Sequence, residues 1–244
     1  MRRDLARSRA EAQQLISGSR VVVGGMPAPK PASLVAPDTP IELVSDERRW
    51  VSRGALKLLA ALEAFPVDLD GKEVLDVGAS TGGFTEVALD HGAVSVTAVD
   101  VGRGQLHESL LRDPRVDSRE RTNFRLADLD RLGAPFPVVV ADLSFISLCT
   151  VADNLAAASA AGADLIVLVK PQFEAGKGQV GRGGVVRDRA VRERAVRQVI
   201  DCLGRVGLGA LGLIRSPIEG RDGNIEYLLW LRKDAEGLEL EVPA

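Results

Sequence analysis

Two kinds of hydrophobic pattern divide the chain near residues 46–51. In the first part, apolar residues recur every three to four positions from Leu5 to Ile16, which predicts a short amphipathic helix that ends at Ser17–Gly18. Short apolar runs at Val21–Val23 and Ile41–Val44, separated by glycines and prolines, predict short strands joined by tight turns. We therefore expect a small α+β unit in this part of the chain.

From Ser52 onward the pattern alternates between helices and apolar strands. Ser52 is placed to cap a helix that Pro66 ends. Six short apolar runs follow, at Val74–Val77, Val94–Val99, Val138–Ala141, Leu165–Val169, Leu208–Ile214 and Ile225–Leu231. The stretches between them are long enough for crossover helices, so the pattern predicts an α/β fold with a mainly parallel sheet covered on both faces. The acidic segment after Lys233 is expected to be frayed.

Composition narrows the class of protein. Hydrophobic residues make up 45% and charged residues 27% of the 244 positions, which is close to the globular average and excludes a disordered, collagen-like or coiled-coil chain. The sequence contains neither an apolar stretch of the roughly 18 residues that a membrane span needs nor a secretory signal. Its two cysteines and two histidines show no metal-ligand spacing and cannot build a disulfide framework, so we expect no metal site and a cytoplasmic location.

Charge is distributed unevenly along the chain. Residues 1–30 carry six basic and two acidic side chains, whereas residues 58–244 carry 21 basic and 28 acidic ones. A basic module before an acidic one indicates a nucleic-acid partner. An ordinary solvated helix face is the alternative explanation.

A glycine turn after the first strand of the second part is a candidate binding site. Gly78 opens the turn and lets a ligand approach the backbone where open α/β sheets bind their ligands. The turn matches neither the dinucleotide fingerprint nor a phosphate-binding P-loop. Asp100 follows 22 residues later, at the end of the next strand, where a carboxylate can accept both hydroxyl protons of a ribose. The pair predicts an adenosine-containing cofactor, and a structural turn beside a solvated aspartate is the alternative.

Four charged residues lie where structural requirements alone favour apolar ones. Lys57 interrupts the first helix of the second part, while Asp142, Lys170 and Glu226 border strands that can converge above one sheet edge. Singly, each is more typical of an exposed charge than of a catalytic group. As a set beside a glycine-turn site, they predict catalysis.

Several long motifs of the chain resemble those of one known family. They are Trp50–Leu58, Asp76–Thr85, Val99–Gly102, Ala141–Leu148 and Val169–Glu174. In this order, and over nearly the whole chain, they resemble the TlyA family of S-adenosylmethionine-dependent ribosomal RNA 2′-O-methyltransferases, which is related to FtsJ and often labelled haemolysin A. The resemblance implies a Rossmann-like class I methyltransferase with a mainly parallel seven-stranded sheet, preceded by a small α+β RNA-binding domain like that of ribosomal protein S-four.

The resemblance also implies domain limits. The RNA-binding domain is expected at residues 1–46, a linker at 47–51, the methyltransferase domain at 52–233 and a tail at 234–244. In the family, a helix containing Arg-Leu-Asp precedes the segment with which this chain starts, so the chain is expected to begin inside the RNA-binding domain.

Functional residues are implied by matching positions. The family's catalytic tetrad is matched by Lys57, Asp142, Lys170 and Glu226. Its methyl-donor site is matched by Asp76, Gly78, Ser80, Gly82 and Asp100, and more loosely by Asp128. The candidate RNA contacts are the basic residues Arg7, Arg9, Arg20, Lys30, Arg53, Lys177 and Arg182. The last two lie in a glycine-rich loop that either closes over RNA or is simply a mobile surface loop.

The resulting hypothesis is methylation of a cytidine 2′-hydroxyl in 16S or 23S ribosomal RNA. Lys170 accepts the hydroxyl proton, Lys57 is the alternative base, and Asp142 and Glu226 orient the two lysines. A pore-former would need an apolar or amphipathic membrane segment, and a noncatalytic ribosome-binding factor would show a broken tetrad or donor site. A methyltransferase of small molecules would not need the basic module.

Overall fold

The computed structural model describes residues 5–6, 8–17, 21–23, 26–27, 33, 35–36, 39–43, 50–176, 178–181, 183–220 and 222–244. The chain divides into two units, Met1–Arg49 and Trp50–Ala244. The first unit contains helix α1 (Arg9–Ser17) and strands β1 (Val21–Val23), β2 (Met26–Pro27) and β3 (Ile41–Leu43). The strands pair antiparallel in the order β2-β1-β3. The predicted helix and short strands of this part are confirmed.

The second unit is a layered α/β structure. Its helices are α2 (Ala55–Ala64), α3 (Gly83–Asp90), α4 (Glu108–Leu111), α5 (Leu129–Leu132), α6 (Ala152–Ala158), α7 (Pro171–Glu174) and α8 (Arg189–Gly204), with 3₁₀ turns at Phe124–Leu126 and Leu148–Val151. Its strands are β4 (Glu73–Val77), β5 (Ser95–Val99), β6 (Val116–Arg119), β7 (Phe136–Ala141), β8 (Ser159–Val169), β9 (Leu208–Arg215) and β10 (Tyr227–Lys233).

These strands form one seven-stranded sheet in the order β6-β5-β4-β7-β8-β10-β9. Strand β10 runs antiparallel to both of its neighbours, and the remaining pairs are parallel. The sheet confirms the predicted mainly parallel α/β fold.

The strands are apolar along their length because helices cover both faces of the sheet. On β8, Leu165, Val167 and Val169 belong to a core that includes residues of α6 and α8. Ile166 and Leu168 belong to the opposite core, with residues of α2 and α3. This alternation is the period of two that a strand imposes on its side chains.

Strand β6 lies outside the six apolar runs that identified the other strands. It forms one edge of the sheet, pairs with β5 alone, and reads Val-Asp-Ser-Arg with alternating exposure. Because an edge strand of this kind buries little of its surface, it lacks a continuous apolar run.

Two local expectations are wrong. Ser52 does not cap α2, since Gly54 occupies the N-cap position and makes no side-chain capping bond. The acidic segment after Lys233 is not frayed: the Leu238 amide donates to the Ala210 carbonyl at 2.8 Å, and Val242 is buried. The second departure arises from tertiary packing, which local composition does not report.

Cys149 and Cys202 form a disulfide that the sequence did not predict. Cys149 lies in the 3₁₀ turn after β7 and Cys202 in α8, with a Cα–Cα distance of 5.7 Å across 53 residues of sequence. Two cysteines still make no framework, but this bridge connects α8 to the segment that follows β7.

In the part of the chain that the structure describes, every helix is too short or too polar to serve as a membrane span. Within the same residues, His, Cys, Asp and Glu side chains form no group of three or more arranged to hold a metal ion.

The burial of each leucine predicts how much its replacement by alanine lowers the free energy of unfolding. Leu155 in α6 is fully buried, whereas Leu126 is 78% exposed. We expect Leu155→Ala to lower the free energy of unfolding by about 2–5 kcal/mol, because the change removes buried apolar surface and leaves a cavity. The matched control Leu126→Ala should stay within about 0.5 kcal/mol of the wild type. Urea denaturation measures both, and equal losses would contradict the assignment of this core.

Candidate active site

A cleft of about 630 Å³ opens at the carboxyl ends of β4, β5 and β7. Its walls include Gly78 and Ser80 after β4, Asp100 after β5, and the segment Asp142–Ile146 after β7. A volume of this size suits a small-molecule ligand or cofactor. The position is the one at which parallel sheets bind their ligands.

Gly78 is required by both conformation and space. Its φ is +89°, which side chains rarely adopt, and a Cβ there would lie 2.6 Å from the Asp142 carbonyl oxygen. The two turns meet because β4 and β7 are adjacent parallel strands, and the Asp142 amide donates to the Val77 carbonyl at 3.0 Å. Glycine at position 78 therefore allows the close approach of the two turns, and its backbone lines the cleft.

Asp100 presents a fixed carboxylate in the cleft. Its Oδ2 accepts from the Ser80 amide at 2.8 Å, and its Oδ1 accepts from the Gly102 amide at 2.7 Å. Each carboxylate oxygen has a second lone-pair direction, so both can accept one further hydrogen bond. These acceptors fit the two hydroxyl groups of a ribose, and the residues present fit an adenosine-containing methyl donor.

Asp76 lies beneath the cleft rather than in its wall. The side chain is fully buried, Thr85 Oγ1 donates to its Oδ2 at 2.7 Å, and its Oδ1 has no hydrogen-bond partner among the described residues. Burial raises its pKa to about 7, the Thr85 hydrogen bond opposes that shift, and the negative charges of Asp142 and Asp100 add to it. Near neutral pH this carboxyl group is therefore poised between its two protonation states.

Gly82 and Asp128 are not among the residues that line the cleft. Gly82 is the N-cap of α3 with φ +96°, and a Cβ there would collide with the Leu110 side chain. Asp128 caps α5 and forms an ion pair with Arg131 at 3.2 Å.

Residues after β6 line this side of the cleft instead: Thr122, Asn123, Phe124 and Arg125. Sequence reasoning missed them because β6 carries no apolar run, so the end of that strand was not recognised as a place to look for a site.

The four charged residues predicted as a set lie together. Lys57 Nζ donates to Glu226 Oε2 at 2.7 Å and lies 3.6 Å from Asp142 Oδ2. Lys170 Nζ lies 2.6 Å from Asp142 Oδ1. Lys57, Lys170 and Glu226 are buried, so this is a largely desolvated cluster in which Asp142 lies between two lysines.

A second, smaller cleft is lined by one of the two lysines and not by the other. Its volume is about 170 Å³, and its lining includes Lys170, Asp142, Ser144, Gly78 and Ser80. The last four also line the larger cleft. Within the described residues, Lys57 lines neither of these two clefts. Lys170 therefore borders a cleft, while the two side chains are equally buried, with exposed fractions of 9% for Lys170 and 10% for Lys57.

Phe145 is a site residue that sequence reasoning did not single out. Its side chain is 90% exposed at the cleft, and its φ of +65° is unusual for a residue other than glycine. Its ring lies 5.1 Å from that of Phe173, between centroids. Backbone strain of this kind collects at functional sites. The available signal was an aromatic residue three positions after the strand-end Asp142.

Glu174 was also missed, although it fixes the segment that carries Asp142. Its buried carboxylate accepts from Ser147 Oγ at 2.5 Å and from the Leu148 amide at 2.9 Å, and burial raises its pKa. Glu174 ends α7, the helix that begins directly after Lys170. The short helix α7 therefore holds Lys170 and the loop after β7 in a fixed position relative to each other.

The predicted RNA contacts are only partly described. Arg53 is exposed immediately before α2, and Arg9 is exposed in α1. The other five lie outside the described residues: Arg7, Arg20, Lys30, Lys177 and Arg182.

Asp76→Asn is expected to change how stability depends on pH. The carboxyl pKa is about 7 in the folded protein against 3.8 as the ordinary value, so between these values the native state binds more protons and stability falls as pH rises. Asparagine removes this slope. Between about pH 4 and pH 7 the stability of the variant relative to the wild type should therefore rise steadily with pH. Urea denaturation across this range tests the effect, and parallel pH curves would contradict it.

Comparison with known proteins gives a consistent result. The sequence profile of the FtsJ-like methyltransferase family matches residues 50–233. A Mycobacterium tuberculosis protein named 16S/23S rRNA (cytidine-2′-O)-methyltransferase TlyA is 52% identical over 246 residues, covering 98% of this chain and 92% of that protein.

Solved structures also resemble this chain. One from Streptococcus thermophilus, described as a hemolysin, has a TM-score of 0.77 and 39% identity, and covers 96% of this chain and 86% of its own. Another, described as an S-adenosylmethionine-dependent methyltransferase from Listeria monocytogenes, shares the fold at 19% identity and a TM-score of 0.56, covering 74% of this chain and 98% of its own. The chain belongs to the FtsJ-like methyltransferase family, in its TlyA branch.

Proposed function

We propose that this protein transfers a methyl group from S-adenosylmethionine to the 2′-hydroxyl of a cytidine ribose in 16S or 23S ribosomal RNA. The observation that carries the proposal is the Lys57–Asp142–Lys170–Glu226 cluster beside a cleft that fits an adenosine. The name of the Mycobacterium tuberculosis relative supports the choice of substrate. We place the activity in the cytoplasm, where ribosomal subunits are found.

The larger cleft is the proposed donor site. Asp100 accepts from the ribose hydroxyl groups, and Gly78 lets the donor lie against the backbone. When bound, S-adenosylmethionine supplies the methyl group, carried on a positively charged sulfur. Asp142 lines both clefts, so its carboxylate lies where the donor and acceptor sides meet.

Lys170 is the better placed of the two candidate bases. A lysine must be neutral to accept a proton, and a nearby carboxylate favours its charged form. Among the described residues, Lys57 faces two carboxylates, Glu226 and Asp142, whereas Lys170 faces one, Asp142. Lys170 also lines the smaller cleft. We therefore assign proton acceptance to Lys170, with Lys57 and Glu226 holding Asp142 in place.

The acceptor side has features that suit an unstacked nucleotide. A ribose hydroxyl reaches Lys170 only if its nucleotide leaves the RNA stack, and an exposed aromatic ring can replace the lost stacking. Phe145 provides such a ring: it is exposed, lines the larger cleft, and directly follows Ser144, which lines both clefts. Arg53 is an exposed candidate for a phosphate contact.

Lys170→Ala is expected to lower methyl transfer by at least about 100-fold, because it removes the base that accepts the hydroxyl proton. Donor affinity should be unchanged. The measurement is transfer of labelled methyl from S-adenosylmethionine to isolated 30S and 50S subunits, with calorimetry for the donor. Lys72→Ala is the matched control, because Lys72 directly precedes β4 and so lies at the amino end of that strand, away from the clefts at its carboxyl end. Full activity of Lys170→Ala would refute the assignment, and RNA binding by the wild type without any transfer would favour a noncatalytic ribosome-binding role.

Asp100→Ala tests the donor site separately. Losing hydrogen bonds to a charged acceptor should weaken S-adenosylmethionine binding by about 1.5–3 kcal/mol, which corresponds to roughly tenfold to a hundredfold in Kd. Asp201→Ala on the exposed side of α8 removes a carboxylate away from the cleft and should bind the donor normally. Equal affinities for the two variants, measured by calorimetry, would show that the donor lies elsewhere.

A further inference from the structure

The two lysines of the site differ in the group that fixes the direction of their ammonium groups. Both approach Asp142, at 3.6 Å for Lys57 and 2.6 Å for Lys170. The Lys57 approach is too long for a hydrogen bond, and the Lys170 approach is close enough for one but poorly aligned, so that Asp142 Oδ1 has no well-directed donor among the described residues. The hydrogen bonds run from Lys57 to Glu226 and from Lys170 to Ser144 Oγ, each at 2.7 Å.

We propose that Ser144 is a positioning residue that aims the Lys170 amine at the ribose hydroxyl; this inference rests on the proposed function. An ion pair is weakly directional, whereas a hydrogen bond is strong only near a straight donor–hydrogen–acceptor line. Among the described residues, Ser144 Oγ is the group that gives Lys170 Nζ such a bond. Ser144 therefore sets the direction of the amine, and Asp142 sets its distance.

The chemistry of a neutral amine explains why this aim matters. Such an amine has two N–H bonds and one lone pair. Asp142 Oδ1, 2.6 Å away, and Ser144 Oγ face the two N–H bonds, so the lone pair is left for the remaining direction. Ser144 and Lys170 line the same small cleft, where the hydroxyl proton of a substrate would arrive. A base held in this way meets the proton without a prior rotation of its side chain.

A hydroxyl suits this position better than a carboxylate. Glu226 makes the corresponding hydrogen bond with Lys57, and its negative charge favours the charged ammonium. Ser144 accepts the same kind of bond without adding charge. Among the described residues, Lys170 therefore faces one carboxylate where Lys57 faces two.

The loop that carries Ser144 is fastened at both ends. The Asp142 amide donates to the Val77 carbonyl at 3.0 Å, and Glu174 accepts from Ser147 and Leu148. Glu174 belongs to the helix that follows Lys170 directly, so the serine and the lysine are held in one frame. Ser144 itself is exposed, and its replacement by alanine therefore opens no cavity in the core.

The test compares Ser144→Ala with Ser144→Thr, which keeps the hydroxyl, in single-turnover methyl transfer to ribosomal subunits. We expect Ser144→Ala to lower the transfer rate by about 10- to 100-fold, the scale of a misplaced catalytic group. The donor Kd and the KM for the subunit should stay unchanged. Ser144→Thr should recover most of the rate, and Thr150→Ala, an exposed hydroxyl change on the same segment, should behave as wild type.

A double variant sharpens the result. Because Ser144 acts through Lys170, adding Ser144→Ala to Lys170→Ala should cause no further loss. Four outcomes would each overturn the proposal. Ser144→Ala could show a wild-type rate, or a change confined to KM or donor Kd. Threonine could fail to restore the rate, or the double variant could lose more activity than Lys170→Ala alone. No methyl transfer by the wild type would instead overturn the proposed function, so the two failures are distinguishable.

Discussion

The close approach of two backbone turns, at Gly78 and Asp142, is the constraint on which the site depends. Parallel pairing of β4 with β7 brings the turns together, and the Gly78 backbone leaves no room for a side chain beside the Asp142 carbonyl. Asp142 therefore lies at once in the wall of the donor cleft and between the two lysines. The donor site and the charged cluster share one wall, so neither can shift without the other.

Positive and negative side chains alternate along the charged cluster. Glu226, Lys57, Asp142 and Lys170 alternate in sign, and the chain of contacts ends at the neutral Ser144. Burying any one of these charges alone would be costly, so each requires a neighbour of opposite sign. This mutual requirement explains why residues from a helix and three strand ends form one unit.

Much of this architecture could be predicted from the sequence because it follows from burial. Central strands covered on both faces appear in the sequence as apolar runs. Charged residues at the ends of such runs, such as Asp142 and Lys170, therefore stand out as candidates for function. The residues that escaped prediction have no local signature. Edge strand β6 is not apolar, Ser144 and Phe145 are ordinary residues until the loop conformation is known, and Glu174 acts on a partner 26 residues away.

The two sides of the site are built differently, and the difference matches their proposed ligands. On the donor side, both Asp100 oxygens are fixed by backbone amides, which suits a small ligand of constant shape. On the acceptor side, Ser144 and Phe145 are exposed, and neither group distinguishes one base from another. A 2′-hydroxyl and a stackable face are common to all RNA nucleotides. Ser144 and Phe145 therefore leave the choice of nucleotide to other contacts, and the basic segment 1–30 is the candidate that the sequence supplies.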